Sequence, residues 1–197
     1  SGFPLFQDIL GVEYSSLKNS VVTNDIEKAI YYSKLAADGG EPKGFLSLGY
    51  IYLNNKNLLE AEKYFKLAAD KNIPEASFEY AIINLNKGNN EIGLRYLNNA
   101  SDYGHLPSIC QLGYLYLYGK NVEKNYKKAL EFIETGVAGG DGQCLFNFAF
   151  AHEFGWGVEK SELKALKYME LAEKGNFLDA VDQLGKYAEI GLGQAIN

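Results

Sequence analysis

The sequence predicts an all-α fold built as an array of helical repeats. A glycine or alanine returns at intervals of 32 or 36 residues along nearly the whole chain. One such series comprises Gly49, Ala81, Gly113, Ala149 and Gly185, and a second comprises Ala29, Ala61, Gly93, Ala129 and Ala165. A unit of this length cannot bury its own apolar face, so neighbouring units have to stack to form a continuous core.

Each period begins with a helix, here called helix A, that has one apolar face. The face is seen at Gly44, Leu46, Leu48, Gly49 and Tyr52, and again at Ser108, Cys110, Leu112, Gly113 and Tyr116. Spacing close to 3.6 residues is typical of a helix with one buried side. Pro42, Pro74 and Pro107 fall at the predicted starts of A helices, where the N–H that proline lacks would have no partner.

The second helix of each period, helix B, carries a stripe of small and aromatic residues at i, i+3 and i+7, as in Ala61, Tyr64 and Ala68. Small residues let helix axes approach to roughly 8–10 Å. Residues that can cap a helix N-terminus stand four before each small residue, at Asp25, Asn57, Asn89, Asn125 and Ser161. Glycines suited to a left-handed C-cap follow the B helices, at Gly40, Gly104, Gly140 and Gly175.

The turn from A to B is short in the 32-residue periods and longer in later ones, as in Gly155-Trp156-Gly157-Val158. The string Leu-Gly-x-x-Tyr, Gly-x-Gly-Val, x-x-Asp, x-x-Lys-Ala, then Ala-Ala and Gly resembles the Sel-like repeat, a relative of the tetratricopeptide repeat. The best matches run from Leu10-Gly11 to Lys28-Ala29 and from Leu112-Gly113 to Lys128-Ala129. The periods that begin near Pro42 and Pro74 depart from this pattern because they lack the Gly-x-Gly-Val turn.

The resemblance covers roughly residues 5–193 and implies a right-handed α-solenoid superhelix of about five helix-turn-helix repeats. We assign residues 1–197 to one domain. Its repeats are expected at approximately 5–39, 40–71, 72–103, 104–139 and 140–175, with a partial repeat at 176–197. The partial repeat adds one extra C-terminal helix, which lacks the B helix of a complete unit.

Charge and hydropathy narrow the classes of partner. The formal net charge is −6 and Arg95 is the only arginine, which argues against binding of nucleic acid phosphates. No apolar run approaches the ~18–20 residues of a membrane span, so no membrane insertion is expected. Ser1-Gly2-Phe3-Pro4 lacks the pattern of a signal peptide. A cytoplasmic location is slightly favoured, while a secreted or periplasmic one stays open if a leader has been removed.

The sequence predicts no catalytic residue, metal ligand or cofactor. Cys110 and Cys144 occupy apolar A-helix positions, and we expect buried, reduced cysteines there, with a disulfide or a catalytic pair as alternatives. The Sel-like family that the chain resembles includes secreted members with disulfides, but those members carry a cysteine pair in most repeats. An enzyme would have to build its site from Cys144, His152 and Glu153. We expect His152 to pack in the core instead, because it fills the position of the repeat's aromatic residue.

The resemblance also implies which residues meet a partner, because the A helices of tetratricopeptide-like superhelices line the concave surface. The predicted partner-binding residues are Tyr50, Asn54, Phe78, Ile82, Asn86, Tyr114, Tyr118, Phe146, Phe150, Phe154 and Trp156. The same register turns six further residues inward, namely Leu46, Leu53, Leu85, Cys110, Leu117 and Glu153. Trp156, on its Gly-x-Gly turn, is either a plug over helix ends or an exposed contact.

These features favour a non-enzymatic scaffold, adaptor or regulator that binds another protein. The partner would offer a peptide segment or an amphipathic helix to an apolar, aromatic groove. Two alternatives stay open. One is a neutralising, immunity-type protein that blocks a cognate protein, and the other is a structural protein that self-associates through its incomplete C-terminal repeat.

Overall fold

The computed structural model describes residues 23–189, and within this range the chain forms ten α-helices and no strand. The chain divides into two compact units, Ser1–Tyr103 and Gly104–Asn197. The first contains α1 (Thr23–Asp38), α2 (Lys43–Asn54), α3 (Leu58–Ala69), α4 (Pro74–Asn86) and α5 (Asn90–Asp102). The second contains α6 (Leu106–Tyr118), α7 (Tyr126–Ala138), α8 (Gly142–Phe154), α9 (Glu162–Lys174) and α10 (Leu178–Glu189).

The helices alternate as predicted, so that the even-numbered ones are A helices and the odd-numbered ones are B helices. The fold is a repeat helical solenoid, which confirms the predicted all-α class. All five predicted small residues of the B helices are buried, namely Ala29, Ala61, Gly93, Ala129 and Ala165. The division of the chain into one domain with the repeat boundaries given above stays a prediction. None of the helices within residues 23–189 combines the length and hydropathy needed to cross a bilayer.

The small residues in the middle of the A helices bring each A helix onto its B helix. A Cβ atom added to Gly49 of α2 would lie 2.5 Å from the ring of Phe65 on α3. A Cβ atom added to Gly113 of α6 would lie 2.7 Å from Cγ1 of Ile133 on α7. Phe65 and Ile133 are both fully buried, so a large B-helix side chain occupies the space that the A-helix glycine leaves. We call this A-helix site the small-residue contact position.

The predicted N-caps are largely confirmed. Asn57, Asn125 and Ser161 accept hydrogen bonds from the backbone N–H three residues later, at 3.3, 3.0 and 3.3 Å. Asn89 stands at the N-cap of α5, but its amide donates to Oδ1 of Asn84 (3.2 Å) instead of accepting from the helix. The prediction for Asp25 is wrong, because α1 already begins at Thr23 and Asp25 lies inside its first turn.

The predicted left-handed glycines are confirmed at three of four sites. Gly40, Gly104 and Gly140 have φ angles of +90°, +75° and +75°. Gly175 keeps a φ of −78°, and the following residue, Asn176, takes +61° in its place. Asparagine tolerates this region better than most residues, so the chain reverses there without a glycine.

The small-residue contact position provides a matched pair of substitutions. Gly185 of α10 has the same register as Gly49, but nothing lies within 4 Å of an added Cβ atom. We expect Gly49→Ala to lower the free energy of unfolding by about 1–3 kcal/mol through overpacking. Gly185→Ala should raise it by up to about 1 kcal/mol, because alanine favours a helix over glycine. Urea denaturation followed by circular dichroism measures both changes. Changes of the same sign and size would contradict the assignment of this contact.

Candidate functional site

Six of the predicted partner-binding residues form one connected aromatic cluster in the second unit, here called the aromatic surface. Its members are Tyr114, Tyr118, Phe146, Phe150, Phe154 and Trp156. On α6, the ring centroids of Tyr114 and Tyr118 are 4.9 Å apart. On α8, Phe150 lies 4.8 Å from Phe146 and 6.0 Å from Phe154. The four-residue spacing along each helix places these rings on one side of it.

Trp156 joins the two aromatic stripes at the C-terminal ends of α6 and α8. Its ring centroid lies 5.5 Å from that of Tyr118 and 5.0 Å from that of Phe154. The helix α8 ends at Gly155, whose φ of +71° reverses the chain, and the Trp156 N–H donates to the Ala151 carbonyl at 2.9 Å. This local turn therefore positions the indole between the two helices.

Trp156 has one of the two roles predicted for it, a plug over helix ends, while its role as a partner contact stays a prediction. The indole packs against a core cluster that contains Leu117 and Leu130, so it covers helix ends. It is still only partly buried, as are Tyr114, Tyr118, Phe146 and Phe150. Phe154 is the most accessible member of the aromatic surface, with 52% of its area exposed. No member of this surface is fully buried.

Charged groups border the aromatic surface on its α6 side. Lys120 Nζ lies 4.9 Å from the centroid of the Tyr114 ring and donates a hydrogen bond to the Tyr114 hydroxyl. An ammonium held over an aromatic face is stabilised by the ring quadrupole. Burial raises the pKa of Tyr118 to about 12, and the neighbouring Tyr114 and Glu153 add to the rise. Tyr118 therefore presents a neutral ring at physiological pH.

The opposite border, beyond Phe154, is more acidic. Glu153 accepts a hydrogen bond from the hydroxyl of Tyr187 on α10, and burial together with this bond raises the pKa of Tyr187. A cavity of about 110 Å³ opens beside Phe154. It is lined by Glu153, Phe154, Lys160, Glu162, Ala165 and Tyr187. The aromatic surface thus lies between a lysine on one side and a mixed, mainly acidic rim on the other.

The remaining predicted residues lie in the first unit. Tyr50 packs its ring edge-on against Phe65 (5.1 Å) and donates from its hydroxyl to Oε1 of Glu79 at 3.1 Å. Burial raises the pKa of the Glu79 carboxyl, and the hydrogen bond from Tyr50 partly offsets that rise. Phe78 and Ile82 are half-buried, while Asn54 and Asn86 are exposed near the ends of α2 and α4. Their role in partner binding stays a prediction.

Three residues that the sequence register turned toward a partner are instead buried in the core. Leu117 is fully buried, and Leu85 is 7% exposed. A Cβ atom added to Gly93 would lie 2.5 Å from Cγ of Leu85, which shows that this leucine fills the gap beside the B-helix glycine. In α4, the position four after the small-residue contact position therefore faces the B helix. The third residue, Cys110, is also fully buried.

Two aromatic residues of the cluster were missed by the sequence reasoning. Tyr126 stacks on Trp156 with its ring centroid 6.1 Å away and the ring planes 6° apart. Phe177 lies 5.2 Å from Phe146. Tyr126 belongs to a B helix, and a Cβ atom added to Gly157 would lie 3.0 Å from its Cβ. Gly157, the second glycine of the Gly-x-Gly turn, was the sequence feature that could have predicted this contact, because a glycine there indicates that the turn lies close to the preceding repeat.

The prediction of reduced cysteines is wrong. Cys110 on α6 and Cys144 on α8 form a disulfide, with their Cα atoms 5.2 Å apart. Gly136 makes this possible, since a Cβ atom there would lie 2.1 Å from Sγ of Cys144 and 2.4 Å from Sγ of Cys110. Asp141 brings a third potential metal ligand within 4.8 Å of the sulfurs. The Oδ1 of Asp141 accepts a hydrogen bond from the Cys144 N–H at 3.0 Å. The carboxylate and the two sulfurs therefore lie close together because Asp141 caps α8 and the sulfurs are bonded to each other.

The residues that an enzymatic site would have used have other roles. Cys144 is bonded to Cys110. His152 is 5% exposed and contacts the rings of Phe148 and Tyr168. Its Nδ1 forms a hydrogen bond with the Glu159 carbonyl at 3.1 Å. His152 therefore packs in the core at the position of the repeat's aromatic residue, as predicted.

A family model described as "Sel1 repeat" matches four segments of this chain, residues 9–41, 46–73, 106–141 and 142–177. The segment between the second and third matches contains α4 and α5, so a helix pair forms there as well. This is one of the two periods that lack the Gly-x-Gly-Val turn. No curated protein matches the sequence.

Several solved structures share the fold. A Sel1 repeat protein from Oxalobacter formigenes is similar with a TM-score of 0.85 at 23% identity, over 96% of this chain and 78% of that one. The immunity protein Pa5087 from Pseudomonas aeruginosa has a TM-score of 0.63 at 19% identity, over 91% and 70% of the two chains. The immunity protein PA5088 from the same organism has a TM-score of 0.60 at 18% identity, over 87% and 66%. At these identities the likeness shows the fold alone.

The disulfide can be tested on the purified chain. Its two cysteines are 34 residues apart in sequence, and opening a loop of that length should lower the free energy of unfolding by about 4 kcal/mol. We expect dithiothreitol to produce this loss in urea denaturation, and to leave a Cys110→Ala, Cys144→Ala double variant unaffected. Labelling of two free thiols per chain in urea without reductant would contradict the bond.

Proposed function

This chain belongs to the Sel1 repeat family, and we propose that it is a non-enzymatic scaffold that binds a segment of a partner protein across the aromatic surface of its second unit. Sel1 repeat proteins generally mediate protein–protein interaction. The observation that carries the proposal is the aromatic surface itself, in which six rings contact one another and none is fully buried.

Partly exposed aromatic rings are suited to anchor a partner. They offer a large apolar area, and their rotation is already restricted by the neighbouring rings, so little conformational entropy is lost on binding. Tyrosine and tryptophan are enriched among the residues that dominate binding energies. A contiguous apolar area on the surface of a folded chain commonly marks an interaction site.

The spacing of the rings suits an amphipathic helix or an extended segment. Phe146, Phe150 and Phe154 follow one another at four-residue intervals on α8, which corresponds to a stripe about 12 Å long. An amphipathic helix with apolar residues at i, i+4 and i+7 matches a stripe of that length. Complementary charges would set its direction, with an acidic residue near Lys120 and a basic residue near Glu153 and Glu162.

The two alternatives, a neutralising role and self-association, also involve binding to a protein. A neutralising role would use the aromatic surface to block a cognate protein, and the fold likeness to two immunity proteins is compatible with it without favouring it. Self-association would place a second copy on the surface instead. In the first unit, Tyr50, Asn54, Phe78, Ile82 and Asn86 remain proposed partner contacts.

A double variant tests the proposed function. Tyr114→Asp with Phe154→Asp places two charges on the aromatic surface, and we expect it to reduce capture of the partner from a lysate of the source organism at least about tenfold, since loss of one anchor typically costs 2 kcal/mol or more. Quantitative mass spectrometry compares the proteins retained by wild-type and variant bait. Circular dichroism verifies that the variant keeps its helical content.

Leu163→Asp serves as the matched control, because Leu163 is 58% exposed in the same unit and lies outside the aromatic surface. It should retain the partner at the wild-type level. Equal capture by the double variant and the wild type would refute the assignment of this surface. A wild-type dimer in light scattering that the double variant converts to a monomer would favour self-association.

A further inference from the structure

The Cys110–Cys144 disulfide lies where the internal repeat is altered at three positions at once. In the other B helices of residues 23–189, the position of Gly136 holds a fully buried alanine, namely Ala36, Ala68, Ala100 and Ala172. In the other A helices of that range, the position of Cys144 holds a smaller residue, namely Gly44, Ala76, Ser108 and Ala180. The position of Cys110 is otherwise held by Leu46, Phe78, Phe146 or Asp182. The glycine and both cysteines therefore belong to one site that is fitted to a disulfide.

Gly136 leaves room for the bonded sulfurs. A Cβ atom at this position would overlap the sulfurs of both Cys110 and Cys144, and both cysteines are fully buried. Non-bonded sulfurs stand further apart than bonded ones, and a packed core has little free volume. The packing of α6, α7 and α8 at this point therefore favours the oxidised pair.

The bond joins the two helices that carry the aromatic surface. Cys110 lies one turn before Tyr114 on α6, and Cys144 lies two residues before Phe146 on α8. The helices α6 and α8 also pack directly against each other. The disulfide therefore fixes the spacing of the two helices near their N-terminal ends, where the aromatic surface begins.

The C-terminal ends of α6 and α8 are connected by ring contacts. The Trp156 ring lies against those of Tyr118 and Phe154. Tyr118 and Trp156 also pack against the same core cluster that contains both cysteines. The aromatic surface is therefore held between a covalent connection at one end and aromatic contacts at the other.

We propose that the aromatic surface has its partner-binding geometry only while Cys110 and Cys144 are bonded. This inference rests on the proposed function of that surface and adds a requirement to it. With the bond in place, the spacing of α6 and α8 is set before the partner arrives. Without the bond, the rings have to be ordered during binding, and the entropy lost in that step lowers the affinity.

The requirement places the protein in an oxidising compartment. To form the bond, the thiols of Cys110 and Cys144 give up two protons and two electrons to a disulfide of the glutathione or thiol-oxidoreductase class, which leaves as two thiols. Both cysteines are fully buried, so the bond closes as α6 and α8 pack, and a reductant reaches it only when the core opens. Structural disulfides of this kind form and persist in oxidising compartments.

Gly136→Ala tests whether the site is fitted to the bond. The added methyl group overlaps both sulfurs, so we expect the equilibrium with reduced and oxidised glutathione to shift at least about tenfold toward the thiols. In a Cys110→Ala, Cys144→Ala background, the same substitution should leave the urea midpoint unchanged or raise it, because alanine favours a helix over glycine. An unchanged glutathione equilibrium would contradict the fit.

Hydrogen exchange measured by mass spectrometry tests the aromatic surface without a partner. In the Cys110→Ala, Cys144→Ala variant, amides of α6 and α8 should exchange at least about tenfold faster than in the wild type, because the bond no longer limits local opening of these helices. The wild type in dithiothreitol should behave in the same way, and amides of α2 and α3 should keep their rates. Unchanged rates in α6 and α8, or equal acceleration in all helices, would contradict the proposal.

Capture of the partner tests the functional requirement. A Cys110→Ala, Cys144→Ala bait should retain at least about tenfold less of the partner than the wild type, since ordering two or more side chains at an interface costs this much affinity. The variant is used in place of a reductant so that disulfides of the lysate proteins stay intact. Leu97→Ala is the matched control, because Leu97 is fully buried in the first unit and its truncation lowers stability to a similar degree. It should capture the partner at the wild-type level.

The outcomes separate this proposal from the proposed function. Equal capture by the wild-type and Cys110→Ala, Cys144→Ala baits, or an equal loss in Leu97→Ala, would overturn the requirement and leave the proposed function standing. If the Tyr114→Asp, Phe154→Asp bait captures as much as the wild type, the proposed function fails, and hydrogen exchange alone decides whether the bond holds the surface. Acid quenching of the source organism followed by maleimide labelling should find no free thiol on the chain. Two labelled thiols per chain would overturn the proposal.

Discussion

Close approach of each A helix to its B helix depends on a residue with almost no side-chain volume. At Gly49 and Gly113 the space left by the missing side chain is filled by Phe65 and Ile133, which are fully buried. Because helix axes can approach only where both surfaces match, this contact fixes the register of the pair. The caps at Asn57, Asn125 and Ser161 then fix where the B helices α3, α7 and α9 begin, in agreement with that register.

The same constraint shapes the surface that a partner can use. The contact position faces the B helix, and the next residue lies about 100° further around the A helix. In α2, α6 and α8 that residue is Tyr50, Tyr114 or Phe150. Each is half-buried, packed on one side by neighbouring rings and open on the other. Packing of the small residue against the B helix thus leaves the following residue partly exposed, and in these three helices that residue is aromatic. On α10 the contact position itself is exposed.

The periodic part of this fold could be predicted from the sequence, and its irregular part could not. Spacing located the helix pairs, the small residues and three of the five N-caps, because each recurs in register. Leu117 was misassigned because a helix face four residues from the contact position can point to a neighbouring helix or to solvent. The Cys110–Cys144 bond depends on a third residue, Gly136, that spacing between cysteines does not reveal. Tyr126 and Phe177 join the aromatic cluster only through contacts between successive repeats.

The packing of the repeat leaves an aromatic surface, and its proposed role is to contact a partner protein. Site-specific photo-crosslinking in the source organism tests it most directly, with benzoylphenylalanine placed at position 154 or, for comparison, at position 163. Both side chains are more than half exposed, so both probes can react with a bound protein. We expect a crosslinked partner from position 154 and none from position 163. A partner crosslinked from position 163 alone, or equally from both, would contradict it.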